Sequence, residues 1–156
     1  MSDDVLSIIP TDPTWQPTEA AADRAIAILE GLAPGAGDLD VEIEADFYDK
    51  ITPVDPADNL ARIGCPRCGR DIDLDWWHDL VETAVDEEDG FDTLDVVVPC
   101  CESTVSLNDL DYDWPAGFAS FEIAVWNPDR GQLTDAELAA VAAALGHPVR
   151  QVMAHI

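Results

Sequence analysis

Apolar positions along this chain change period several times. Over 18–31 they recur at helical spacing. Ala22, Ala25, Ile26 and Leu29 share a face, Thr18 stands where an N-cap belongs and Gly31 where a helix can stop. Over 41–47 the period falls to two: Val41, Ile43, Ala45 and Phe47 alternate with Glu42, Glu44 and Asp46, which predicts a half-buried strand ended by Pro53 and Pro56. A second helix is predicted from Ile72-Asp73-Leu74 onward. Leu74, Trp77, Val81, Ala84 and Val85 form its apolar face, and the acidic run 86–90 closes it. Residues 94–98 are rich in β-branched side chains and predict a short buried strand.

Residues 102–117 carry mixed signals and read as a loop, as does the Gly/Pro/Ala stretch 33–37. Ala119, Phe121, Ile123 and Val125 alternate again, up to Asn127-Pro128. The last helix has the clearest local grammar. Thr134 and Glu137 have capping-box spacing, and Leu133 and Leu138 can staple across it. Leu138, Val141, Ala142 and Leu145 make its face, Gly146 sits at the stop and Pro148 blocks continuation. A final strand follows over 149–155. Residues 1–17, with Pro10, Pro13 and Pro17, read as an extended N-terminal arm, ordered in part at best. No internal repeat is visible in the sequence.

This order predicts one α+β domain over 18–156. After an extra N-terminal helix it runs strand, helix, strand, strand, helix, strand, the ferredoxin-like split βαβ pattern. In that topology the loops after the first two strands lie at the same end of the sheet. Those loops hold all four cysteines.

Cys65-Pro66-Arg67-Cys68-Gly69 has the spacing of a zinc knuckle: two intervening residues let both sulfurs face one ion, and the glycine relieves the turn. Cys100-Cys101 is the weaker half, because adjacent residues on an extended strand point opposite ways, so a sharp turn is needed there. The expected site is one structural Zn²⁺ held by Cys65, Cys68, Cys100 and Cys101. Three rivals stand beside it: His78 replacing one cysteine, a vicinal Cys100–Cys101 disulfide acting in redox chemistry, or four buried thiols. Arg62, Arg67 and Arg70 are three of the seven basic residues, and they would offset the charge of a thiolate cluster.

Composition narrows the function. Among 156 residues, 33 are acidic and 7 basic, a formal net charge of −26. Such a surface argues against direct nucleic-acid binding and against acidic membranes. No apolar run is long enough to span a bilayer. The acidic N-terminus lacks the features of a secretory leader, so a cytoplasmic location is expected, where thiols stay reduced and favour metal binding. The charge itself has three readings: solubility in a salty cytoplasm, an acidic face for a basic protein partner, or mimicry of DNA phosphates.

The segment 109–115 places Asp109, Asp111 and Asp113 at alternate positions, with Tyr112 and Trp114 among them. It lacks the glycine and terminal glutamate of a calcium loop and reads as a solvated acidic loop. Asp109, Asp111, Asp113, Trp114 and Trp76 are the candidate interaction residues. Trp77 lies on the apolar helix face, which leaves Trp76 for an exposed contact. His147 and His155 read as structural. No Ser-His-Asp, His-Glu-x-x-His, P-loop or dinucleotide signature is present.

Taken together, the two cysteine segments, Ser106-Leu107-Asn108-Asp109-Leu110, Trp114-Pro115-Ala116-Gly117-Phe118-Ala119 and Leu145-Gly146-His147-Pro148-Val149-Arg150 are familiar. Over roughly residues 60–156 the chain resembles a group of small bacterial proteins of unknown function with Cys-Pro-x-Cys-Gly, Pro-Cys-Cys and Trp-Pro-x-Gly-Phe segments. It departs from them at Glu102, where the resemblance implies glycine. The group brings no activity with it. The expectation is therefore a non-enzymatic acidic interaction module with structural zinc, binding a basic partner such as a toxin or regulator. The rivals are a thiol- or metal-dependent redox enzyme and a nucleic-acid mimic that inhibits a DNA-binding protein.

Overall fold

The computed structural model describes residues 4–32, 42–54, 60–88, 90–113, 116–128 and 130–155. The expected loop 33–37, Val41, Pro56, Trp114 and Pro115 lie outside these, as does Asp89. The described residues form a mixed α+β structure.

Four strands make the main sheet: β1 (Asp4–Pro10), β2 (Glu42–Val54), β8 (Gly117–Trp126) and β9 (Val149–His155). They lie in the order β2-β8-β1-β9, and every neighbouring pair is antiparallel. Helix α1 (Glu19–Leu32) joins β1 to β2, and α3 (Asp135–Leu145) joins β8 to β9. The two helices pack against each other. Leu6, Ile8, Phe121, Ile123, Val125 and Met153 from the sheet meet Ala22, Ala25, Leu29, Val141 and Leu145 from the helices in one core. The N-terminal helix signals act as the sequence predicted, whereas Gly31, expected as a stop, lies inside α1. Thr18 Oγ1 accepts the Ala21 N–H at 3.1 Å. Thr134 and Glu137 form the full capping box, and Gly146 closes α3.

Two expectations are corrected. Residues 4–10 are an interior strand of the sheet, not a partly ordered arm. Val5, Leu6, Ile8 and Ile9 are all buried, so the strand carries apolar residues on both faces and lacks the alternating signature. Pro10 and Pro13 mark where that strand ends. Residues 94–98 do not join the main sheet. They give β5 (Asp95–Val97), which pairs only with β6 (Thr104–Ser106), because the chain reverses on itself between the two. The expected element order left out β1, which precedes α1, and the cysteine segments lie in an excursion between β2 and β8.

That excursion has its own small core. It contains β3 (Ile63–Gly64), β4 (Asp71–Ile72), α2 (Leu74–Glu88), β5, β6, a 3-10 turn (Leu107–Asp109) and β7 (Asp111–Tyr112). Ile63, Trp77, Phe91, Leu94, Val98, Leu107 and Leu110 pack together, and Ile51 and Phe118 reach in from the sheet strands. On α2, Trp77 and Ala84 are buried, whereas Val85, expected on the apolar face, is 40% exposed. An isolated bridge between Ile51 and Phe91 ties the excursion to β2 beside a bulge in that strand. The Asn108 side chain accepts the Phe118 N–H and donates to the Phe118 carbonyl, holding the start of β8. A Cβ at Gly117 would lie 2.5 Å from Ile9 Cδ1, so a side chain there would require the end of Ile9 to shift.

Candidate metal centre

Each cysteine segment sits at the tip of a short hairpin. β3 and β4 pair as Ile63↔Ile72 and Gly64↔Asp71, and the next residues outward are Cys65 and Arg70. β5 and β6 pair as Asp95↔Ser106, Val96↔Val105 and Val97↔Thr104, followed by Val98 and Ser103. The two tips have the same hydrogen bonds. In the first, Cys65 N–H donates to Arg70 O at 2.9 Å and Gly69 N–H to Cys65 O at 3.0 Å. In the second, Val98 N–H donates to Ser103 O at 3.0 Å and Glu102 N–H to Val98 O at 3.0 Å. Both tips have proline at the second position, and both end on a left-handed residue: Gly69 at φ +75° and Glu102 at φ +58°. The turn needed to bring Cys100 and Cys101 inward is therefore present. Glu102 adopts the conformation that glycine takes at least cost.

The four sulfurs lie within 4.8 Å of one another, close enough for one metal ion. Cys65 and Cys101 Sγ are 3.8 Å apart. The Arg67 N–H points at Cys65 Sγ from 3.4 Å, and the Cys101 thiol donates to Ser103 Oγ at 3.3 Å. Cys65 is buried, Cys100 and Cys101 are half-buried and Cys68 is exposed; all four are free thiols. Backbone N–H groups of Cys68 and then Arg67, with the neighbouring thiols, hold the Cys65 thiol down at about 6, against its own burial. Burial first, and then the thiols of Cys68, Cys65 and Cys101, push Cys100 up to about 12. A set of four thiolates needs a cation to balance it.

Among the described residues the cysteines are the sole group of this kind. His78 is not in it: it is exposed on α2 with its ring edge-on to Trp77, at 5.1 Å between centroids. Arg62 pairs with Asp71 at 2.6 Å, while Arg67 and Arg70 are exposed beside the first turn.

The predicted interaction residues take different places. Asp113 Oδ1 accepts the backbone N–H groups of Ala61 and Arg62 at 3.1 and 3.0 Å, so its carboxylate holds the chain entering the first hairpin. Asp111 lies beside Gly64 on β7 and is exposed. Asp109 lines a cleft of about 480 Å³ with Pro66, Arg67, Asp95 and Ser106, next to the first turn. Trp76 is half-buried, packed against the excursion's core. Tyr112 is a packing residue: it donates to Leu107 O at 2.6 Å and accepts from Trp77 Nε1 at 3.3 Å. His147 stacks on Trp15 at 4.5 Å between ring centroids. Sequence reasoning missed Ser103 and the equivalence of the two turns. The proline and the residue pattern around Val98 carried that signal, hidden by valine standing where the first turn has cysteine.

No family model matches this chain, and no curated protein and no solved structure matches it. No helix among the described residues is long and apolar enough to cross a membrane.

Proposed function

We propose that Cys65, Cys68, Cys100 and Cys101 hold one structural Zn²⁺, and that the protein is a non-enzymatic, acidic interaction module for a basic protein partner. The observation that carries the reading is the delivery of four sulfurs to within 4.8 Å by two matched turns. A soft four-thiolate set suits zinc in tetrahedral coordination, and four protein ligands leave no position for substrate. The ion would lock two hairpins that are too short to persist by pairing alone. We read the frame as the ferredoxin-like arrangement with the zinc unit inserted between its second and third strands; the strand order β2-β8-β1-β9 supports this.

A net charge of −26 supports a basic partner. The cleft beside the first turn, with Asp95 and Asp109, is where we place part of that contact, with Asp111 nearby. Asp113 is left out because its carboxylate is engaged by the backbone.

Metal analysis of natively purified protein tests the centre, with thiol titration before and after chelation. One zinc per chain and four thiols masked until chelation are expected. Metal-free protein with four reactive thiols would overturn the reading. For the partner, the Asp109→Lys, Asp111→Lys double variant should bind it more weakly than wild type. Unchanged affinity would remove this cleft from the interface.

A further inference from the structure

The first turn places its cysteines at positions one and four, Cys65 and Cys68. The second has Cys101 at position four, but position one is Val98, and its other cysteine, Cys100, stands at position three, the counterpart of Arg67. The backbone at Val98 nevertheless matches that at Cys65. Each donates its N–H to the residue five places on, and each accepts from the residue four places on. Each precedes a proline, and each follows a paired strand in the same register. Both side chains are buried in the same core, Cys65 at 4% and Val98 at 0% exposure. Equivalent backbones launch their Cβ atoms in equivalent directions.

We infer that position 98 is a metal-ligand position of this fold, equivalent to Cys65, and that Cys100 supplies from position three the thiolate that position 98 supplies when it carries cysteine. The inference rests on the zinc reading above. Cysteine at 98 needs no new space, because it is smaller than valine, similarly apolar, and sets its sulfur where one valine methyl lies. On exchange, the incoming thiol releases its proton to solvent as it ligates, and Cys100 takes up a proton as it leaves. Metal charge and total thiolate count do not change.

The test is differential alkylation of zinc-loaded protein, with peptide mapping of the reactive thiols. Wild type should mask four thiols. Val98→Cys should mask four of its five, with Cys100 the reactive one. Cys100→Ser should mask three and lose zinc at a lower chelator concentration. The double variant Val98→Cys, Cys100→Ser should mask four and recover wild-type resistance to chelator. Val98→Ala, which keeps all four native cysteines masked, separates loss of packing from loss of a ligand. If Val98→Cys instead leaves the thiol at 98 reactive with Cys100 masked, and the double variant behaves as Cys100→Ser, the inference is overturned while the zinc reading stands. Four reactive thiols and no zinc in wild type overturn both.

Discussion

In the sheet layer, strands of up to 13 residues pair along most of their length, and two capped helices cover one face. In the excursion that carries the cysteines, strands are two or three residues long and pair in separate sheets of three and two strands. The first region has Leu6, Ile8, Phe121 and Ile123 fully buried and repeated ladder bonds to hold it. The second has a comparable list of buried residues but, outside α2, little regular backbone, so its loops are fixed by side chains: Asn108 on Phe118, Asp113 on Ala61 and Arg62, Tyr112 on Leu107. Regular pairing spreads stability over many equivalent bonds. Irregular structure concentrates it at a few points, and with the proposed ion bound the four cysteines would be the largest of these.

The comparison breaks most visibly on metal removal. Structural zinc contributes about 10 kcal/mol or more in small metal-dependent folds. Chelation, or Cys68→Ser, should strip hydrogen-exchange protection from 63–72 and 95–106 while β1, β8 and β9 keep theirs. Equal loss in both regions would mean that they fold as one cooperative unit.

Phe121→Ala attacks the other side. It should cost about 3–5 kcal/mol by deletion of a fully buried ring, read as a lowered denaturant midpoint, with the zinc-loaded thiols still masked. Single fixing points come next. Tyr112→Phe removes the bond to Leu107 O and should cost about 1 kcal/mol, and Thr134→Ala, which opens the α3 capping box, also about 1 kcal/mol. The first should raise exchange in the excursion and the second in α3 only.

The smallest effect is set by pH. The Arg130 guanidinium first, and then the Thr134 N–H, hold Glu137 down at about 2 from an ordinary 4.5. The folded state therefore binds fewer protons than the unfolded one in this range. The contribution is complete above pH 4.5 and is lost as pH falls towards 2. The stability difference between wild type and Glu137→Gln should shrink over that window. A difference independent of pH would show that the pair contributes nothing through charge.

Legibility in the sequence divides along the same line. The capping box, Gly146 and the alternation over 119–125 are local signals, and they predicted α3 and β8 well. The four-cysteine cluster was legible because Cys-Pro-x-Cys-Gly is itself a local geometry. β1 was hidden by its centrality: Val5-Leu6-Ser7-Ile8-Ile9 buries both faces, and the nearby prolines dominated the reading. β5 was misplaced because a three-residue apolar run does not say which sheet it joins. The α2 face was right at Trp77 and wrong at Val85, since the packing partner decides how wide an apolar stripe must be. The backbone donors to Asp113 come from 52 and 51 residues away and had no signal in the local sequence.

The pairing of Val54 with Gly117 has a further consequence. The chain leaves the sheet at the first and returns at the second, so the two ends of the whole excursion meet side by side. Geometrically, the cysteine-bearing unit is a side branch hung on what would otherwise be a hairpin. Such a branch can be gained, lost or exchanged without altering the order of the strands that bear it. Its anchors are the few residues that cross the joint, Ile51 and Phe118, and the bridge to Phe91. A shortened chain that joins β2 directly to β8 would keep its ladder, but it would need polar replacements for those two side chains, which would then face water.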